Sequence, residues 1–201
     1  MIEFSKKGKF FKAVQNGNIN DVKDLVEKGV CVNSKNPNRL TPLYIAAKKG
    51  HFDIVKFLID KGAEINAIYN PLYVAAEQNH LEIIKFLLNN NADVNFSTAK
   101  IKGETALHRA TLMGHFEVVK TLLERDAKMN FISALSSFAP LHQAAFRGHK
   151  EILELLLNHG ADIDITSSDK VLSINWTPLY CAISKEQNDL ANILIGFGEG
   201  L

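Results

Sequence analysis

Histidine is the side chain of this protein best suited to binding a metal, and four of the seven histidines form two equally spaced pairs. His108 precedes His115, and His142 precedes His149, by seven residues in each case. A metal site needs several ligands that converge on one point, with hydrogen-bond partners that orient them. Single histidines that recur along a chain do not supply such a cluster. We therefore predict no metal site and no cofactor.

The two cysteines are the next candidates for chemistry, as nucleophiles. A reactive thiolate needs a neighbouring cation or a helix N-terminus, and the sequence gives neither Cys31 nor Cys181 such a context. No glycine-rich loop suited to phosphate occurs, because each glycine falls at a turn or at a helix end. The prediction is that the chain is not an enzyme and has no catalytic residues. An enzyme hidden in the loops would need a cluster of ionisable groups there.

Composition favours a soluble protein inside the cell. The chain has 23 Lys and Arg against 22 Asp and Glu, interspersed, which argues against nucleic acid or an anionic membrane as the main partner. The first residues contain no apolar run typical of a secretory signal, and the longest uncharged run, residues 129–146, includes too many polar residues to span a membrane. Cys31 and Cys181 lie far apart, so no disulfide is expected and a cytoplasmic location fits.

The elements that position these residues come from an internal repeat. The stretch 41–66, TPLYIAAKKGHFDIVKFLIDKGAEIN, recurs along the chain with the same offsets. Clear copies occupy residues 70–95, 105–130 and 139–164, and fainter ones occupy 10–33 and 177–200. Self-similarity at this period predicts a stacked array of units, none of which can bury its apolar residues alone.

One unit predicts two short helices. Thr41 and Pro42 are typical of a helix start, and Gly50-His51 ends the first helix. Residues 52–60 then carry apolar side chains at helical spacing, and Gly62 is suited to the left-handed conformation that follows a helix. A polar tail leads to the next unit.

These motifs resemble the ankyrin repeat. The residues that carry the resemblance are Thr-Pro-Leu-Tyr or Thr-Ala-Leu-His at the helix start, Ala-Ala, Gly-His, Ile-Val-x-x-Leu, and Gly-Ala-x-x-Asn at the end. The resemblance implies an all-α solenoid of stacked helix-turn-helix units with projecting hairpin-like loops, which usually binds other proteins. It also implies that the paired histidines are structural and bond to backbone at turns. Tyr44, Tyr73 and Tyr180 replace the first histidine of each pair in other units, so histidine is not required there.

We predict a single domain over residues 1–201, with repeats at about 5–40, 41–69, 70–104, 105–138, 139–176 and 177–201. Most variation lies in the loops: residues 67–69 leave almost no loop, whereas 96–104, 131–138 and 165–176 are long. Asn70 is expected to cap its helix, and Asn79 and Asn91 to replace glycine in the left-handed region. Ala139 cannot cap its helix.

The resemblance also implies where a partner binds. In ankyrin repeats a concave surface comes from the residue before each Thr-Pro and the two residues after each Ala-Ala. Large apolar side chains occupy several of these positions in repeats 4 to 6, with charged residues around them, which is typical of a protein-binding hot spot. Alternatively, the long loops fold back over these side chains. The predicted partner-binding residues are Leu40, Tyr69, Glu104, Leu112, Met113, Phe138, Phe146, Arg147, Trp176 and Lys185.

An asparagine ends most units, and we expect it to fix the turn through bonds to the backbone. Some ankyrin-repeat proteins are hydroxylated at this asparagine by an oxygen-dependent hydroxylase. Asn66 and Asn95 are the candidate sites here.

The sequence thus predicts a non-catalytic module that binds another protein and no small-molecule substrate. An alternative is a targeting or regulatory part of a larger enzyme. Another is a host-directed bacterial effector, which the heavy use of Lys and Asn suggests.

Overall fold

The computed structural model describes residues 2–97, 103–134, 136–169 and 174–199, so parts of the loops at 96–104 and 165–176 lie outside the described residues. Its helices are α1 (Ile2–Asn16), α2 (Ile19–Glu27), α3 (Pro42–Lys49), α4 (Phe52–Asp60), α5 (Pro71–Glu77), α6 (Leu81–Asn89), α7 (Ala106–Met113), α8 (Phe116–Leu123), α9 (Pro140–Arg147), α10 (Lys150–Asn158), α11 (Pro178–Ser184) and α12 (Asn188–Gly198). The all-α fold class is confirmed. None of these helices has the length and apolar character needed to cross a bilayer.

Among the described residues, a short hairpin departs from the helical pattern. Strands β1 (Ser167–Asp169) and β2 (Ile174–Trp176) pair antiparallel within the longest predicted loop, with Ser167 opposite Trp176. The hairpin-like loop that the resemblance implied is therefore a real pair of strands at this position.

The chain forms two compact units, residues 1–93 and 94–201. In the first unit α1, α3 and α5 pack in one row, and α2, α4 and α6 pack in a second row. In the second unit α7, α9 and α11 form one row, and α8, α10 and α12 form the other. We call the odd-numbered helices the first helices and the even-numbered ones the second helices. The organisation of residues 1–201 as a single domain stays a prediction.

Small residues allow the first helices to pack closely. The Ala-Ala pairs at 46–47, 75–76 and 144–145 are fully buried, whereas the second helices fill the core with leucine, isoleucine and valine. Because an alanine side chain is short, it permits a neighbouring backbone to approach. The repeated alanines therefore permit close packing of the first helices within each unit.

The predicted helix starts and ends are confirmed. Thr41, Asn70 and Thr177 each accept a hydrogen bond from a backbone N–H in the first turn of α3, α5 and α11, respectively. Ala139 provides no side-chain cap to α9. Asn79 and Asn91 adopt φ angles of 61° and 64°, the left-handed conformation expected of them.

Candidate protein-binding surface

Four aromatic side chains come together in the second unit. Phe138 contacts both Phe146 and Trp176, with ring centroids 6.0 Å and 5.9 Å apart. Trp176 in turn meets Tyr180 edge to face at 4.8 Å. Tyr180 is 45% exposed, and the other three are partly exposed. We call Phe138, Phe146, Trp176 and Tyr180 the aromatic surface.

One cation contacts the aromatic surface, and a second follows Phe146 in the sequence. The Nζ atom of Lys185 lies 4.4 Å from the centroid of the Phe146 ring, within the range of a cation–π contact. Arg147 occupies the last position of α9, and Lys185 occupies the equivalent position after α11. Both side chains are exposed.

Apolar exposure continues on α7. Met113 is 47% exposed, whereas Leu112 is partly buried. These residues stand at the positions on α7 that Phe146 and Arg147 occupy on the neighbouring helix α9. Phe138 and Trp176, from the loops before α9 and α11, contact other rings of the surface, whereas Met113 is exposed. Binding of a partner at these residues stays a prediction.

Glu104 differs from its expected place on an exposed rim. The residue is buried, at 2% exposure, and one carboxylate oxygen lies 4.0 Å from an Nη of Arg109. Burial of a carboxylate is costly unless a cation and hydrogen bonds compensate for it, and Arg109 supplies that charge. The carboxylate of Glu104 therefore faces Arg109 within the protein and not an open surface.

Two further predicted binding residues belong to the first unit. The backbone N–H of Leu40 donates to Asn36 Oδ1 at 2.9 Å, and its side chain is partly buried. Tyr69 meets Tyr44 edge to face, with ring centroids 5.9 Å apart. Binding of a partner at Leu40 and Tyr69 stays a prediction.

Two buried histidines hold the loops that carry the aromatic residues. His142 Nδ1 accepts the backbone N–H of Ala139 at 3.2 Å, so its Nε2 carries the proton and donates to the Trp176 carbonyl at 2.9 Å. His108 is arranged in the same way, with its Nε2 donating to the Phe131 carbonyl at 2.8 Å. Each histidine thus joins a helix start to the following loop.

Burial keeps these rings neutral. It lowers the pKa of His108 from 6.5 to about 4, although hydrogen bonds to the carbonyls of Phe131 and Phe138 act in the opposite direction. Burial also lowers the pKa of His142, against bonds to the carbonyls of Trp176 and Ile165. A neutral ring with Nε2 protonated is the form that can bond to a carbonyl while accepting an N–H.

Other histidines join consecutive repeats. The rings of His51, His80 and His149 bond through Nε2 to the carbonyls of Gln15, Lys48 and Leu112 in the preceding repeat. These bonds agree with the structural role that the resemblance implied. Among the described residues, no three His, Cys, Asp or Glu side chains are grouped for a metal ion.

Burial also affects the thiol of Cys181. It raises the pKa of Cys181 to about 12, which disfavours the reactive thiolate. Cys31 is exposed, and neither cysteine forms a disulfide.

The asparagines at the repeat ends bond further along the chain than expected. Asn66 Oδ1 accepts the backbone N–H of Asp93 at 2.9 Å, and its Nδ2 donates to the Asn91 carbonyl at 3.3 Å. Asn95 bonds in the same way to Lys128 and Asp126. The side chain therefore links one repeat end to the next, and hydroxylation of Asn66 and Asn95 stays a prediction.

Sequence reasoning missed two members of this region. Tyr180 was noted only as a substitute for histidine, yet its ring belongs to the aromatic surface. Arg109 was not singled out, although it pairs with Glu104. The position of Tyr180, three residues after the helix cap and one turn from the Trp176 loop, was the signal available in the sequence.

Comparison with known proteins agrees with this architecture. A family model described as Ankyrin repeats (3 copies) matches residues 10–98, 68–133 and 132–199. The chain is 47% identical over 58 residues to Alpha-latrocrustotoxin-Lt1a of Latrodectus tredecimguttatus, covering 28% of this chain and 4% of that protein. It is 40% identical over 55 residues to BRCA1-associated RING domain protein 1 of Caenorhabditis elegans, covering 27% and 8%.

A viral relative is shorter. Putative ankyrin repeat protein FPV223 of fowlpox virus (strain NVSL) is 37% identical over 59 residues, which cover 29% of this chain and 42% of that protein. In each of these three relatives, the part that this chain matches is less than two thirds of the relative's own length. Because the family model spans nearly the whole chain, the protein belongs to the ankyrin repeat family.

Proposed function

We propose that this protein binds another protein through the surface formed by the first helices of the second unit and the loops before them. Ankyrin repeats are generally protein-interaction modules, which supports the general function. The particular surface is supported by one observation: partly exposed aromatic rings lie together beside exposed cations. Aromatic residues and arginine are the residues most enriched at binding hot spots.

A preorganised site also supports the proposal. The Nε2–H groups of His108 and His142 donate to carbonyls of the loops, and Phe138 packs between two other rings. Side chains held in place before binding lose little conformational entropy on association, so more of the contact energy appears as affinity.

The test compares two apolar residues of the same repeat. Met113, on α7, is 47% exposed, and Phe116, on α8, is 36% exposed. The native protein and the variants Met113→Glu and Phe116→Glu are each used to capture partners by cross-linking. Both variants are first checked for an unchanged melting temperature. We expect the native protein and the Phe116 variant to capture the same partner and the Met113 variant to lose it. Equal capture by all three would place binding elsewhere.

A second candidate is that these repeats serve as a targeting part of a longer protein. It is favoured by the relatives, because the matched segments make up 4% and 8% of two of them. The prediction of a host-directed bacterial effector gains no support, since these relatives are animal and viral. We propose a cytoplasmic location, which suits two cysteines without a disulfide.

A further inference from the structure

Charge is distributed unevenly between the two helix rows of the second unit. The first helices α7, α9 and α11 contain Arg109 and Arg147 but no aspartate or glutamate. The second helices carry acidic residues in their first turns, namely Glu117, Glu151 and Asp189. An exposed carboxylate, Glu186, follows Lys185 in the turn before α12. Because Arg109 is paired with Glu104, the exposed cations of this side are Arg147 and Lys185, with Glu186 as the exposed carboxylate next to Lys185 in the sequence.

Lys185 lies over the ring that a partner would contact. Its Nζ is 4.4 Å from the Phe146 centroid, so in the free protein the ammonium group covers one face of Phe146. A carboxylate from a partner would attract this ammonium, and Arg147 at the end of the adjacent helix offers a second cation. With Lys185 drawn toward the carboxylate, Phe146 and the neighbouring rings can accept an apolar side chain.

We propose that the aromatic surface binds a partner segment in which a large apolar side chain is flanked by aspartate or glutamate. The apolar side chain packs on Phe146 and its aromatic neighbours, and the carboxylates pair with Lys185 and Arg147. This inference depends on the proposed function, because it names the chemistry of the partner at the same surface. Two exposed cations are too few for strong phosphate-backbone binding, which favours an acidic protein segment over nucleic acid.

The protein provides its own probe for this test. Trp176 is the single tryptophan of the chain and belongs to the aromatic surface, so its fluorescence reports on binding there. Three tryptophan-free peptides are titrated into the full chain. One carries the core Asp-Glu-Phe-Leu-Glu-Asp, the second replaces its acidic residues by lysine, and the third replaces Phe-Leu by Ser-Ser.

We expect the first peptide to shift the Trp176 emission and to bind about tenfold more tightly than the lysine peptide, as two partly exposed ion pairs allow. The serine peptide should bind much more weakly. An Arg147→Glu/Lys185→Glu variant should reverse the preference between acidic and basic peptides. A Lys120→Glu/Lys150→Glu variant, with the same charge change on the second helices, should keep the native preference.

Four outcomes would overturn the inference. They are equal binding of the acidic and basic peptides, no binding of either peptide, binding of the serine peptide as tight as that of the first peptide, and equally tight binding of an oligothymidine that depends on Arg147 and Lys185. In each case the capture experiment with Met113→Glu still decides the proposed function separately. Loss of the captured partner in that variant, together with no preference for the acidic peptide, would leave protein binding in place and refute only the acidic partner.

Discussion

The imidazole ring of His142 lies almost parallel to the phenyl ring of Phe138, with an interplanar angle of 7° and centroids 5.3 Å apart. The same histidine bonds to the Trp176 carbonyl through Nε2. One ring therefore holds the loop residues before α9 and before α11. The order of the aromatic surface depends on this histidine and on the phenylalanine stacked against it.

Replacing Phe138 by alanine is expected to lower the free energy of unfolding by about 2 kcal/mol, because its partly buried ring contacts three others. Phe131 provides a matched comparison, since it is also a loop residue beside a structural histidine but is 40% exposed. Phe131→Ala should cost less than about 1 kcal/mol. Urea unfolding measures both. Equal losses would show that stacking on His142 adds little.

Acid should destabilise the second unit through its buried histidines. Because the pKa of His108 falls from 6.5 in the unfolded chain to about 4 in the folded protein, the folded protein binds fewer protons in this window. The contribution of neutral His108 to the free energy of unfolding is fully present above pH 6.5 and is lost as the pH falls toward 4. The depression corresponds to about 3 kcal/mol. His142, whose pKa is also lowered, acts in the same direction.

The measurement is the urea midpoint at about pH 7.5 and about pH 5, a range chosen to include most of this window. A His108→Gln variant cannot titrate at this position, so it should lose less stability between the two pH values than the native protein. A pH dependence unchanged by His108→Gln would show that His108 is not its source.

The helices were predictable from the sequence because each repeat contains the residues that start and end its own helices. Helix α4 begins at Phe52 and ends at Asp60, as the Gly-His turn and the apolar spacing indicated. Caps at Thr41 and Asn70 were predictable for the same reason, since they depend only on neighbouring residues. Because the same capping and turn residues recur in several units, the helix boundaries are well determined by the sequence.

Contacts between repeats were harder to predict from the sequence. Glu104 precedes a helix start as an exposed loop residue would, but it is buried and its carboxylate lies 4.0 Å from Arg109. Asn66 was expected to fix its own turn, yet its Oδ1 accepts an N–H from Asp93 in the next repeat end. The bonds of Asn66 reach the end of the next repeat, which the pattern within one repeat does not show.

Capping offers a stabilising substitution at α9. Ala139 has no side-chain acceptor. Thr105 and Thr177 occupy the equivalent positions before α7 and α11, and both cap their helices. Ala139→Thr should raise the free energy of unfolding by about 1 kcal/mol, and Thr105→Ala should lower it by a similar amount. Thermal melts of both variants test this. A loss of stability in Ala139→Thr would indicate that Phe138 and His142 leave no space for the hydroxyl and methyl groups.

The buried hydroxyl of Thr111 on α7 offers a second site for a stabilising substitution. Thr111 is fully buried, and its Oγ1 has no hydrogen-bond partner among the described residues. Valine has nearly the same shape without the polar atom, so Thr111→Val should stabilise the protein by about 1 kcal/mol. Thr111→Ala, which restores the alanine found at Ala47 and Ala145, should gain less because it leaves a methyl-sized gap. If Thr111→Val is instead destabilising, the hydroxyl has a partner such as a bound water.

Alanine substitutions at two glycines of the first unit distinguish the cost of backbone strain from the cost of a packing clash. Gly50 and Gly62 both have positive φ angles, 77° and 82°, but a Cβ atom at Gly50 would lie 2.7 Å from His80 Cε1 whereas one at Gly62 would meet nothing within 4 Å. Gly62→Ala should therefore cost about 1 kcal/mol of strain, and Gly50→Ala should cost at least about 1 kcal/mol more. The added cost should vanish when both alanines are compared in a His80→Ala background, because the obstructing ring is then absent. If the difference persists there, the conformation of Gly50 itself is the cause.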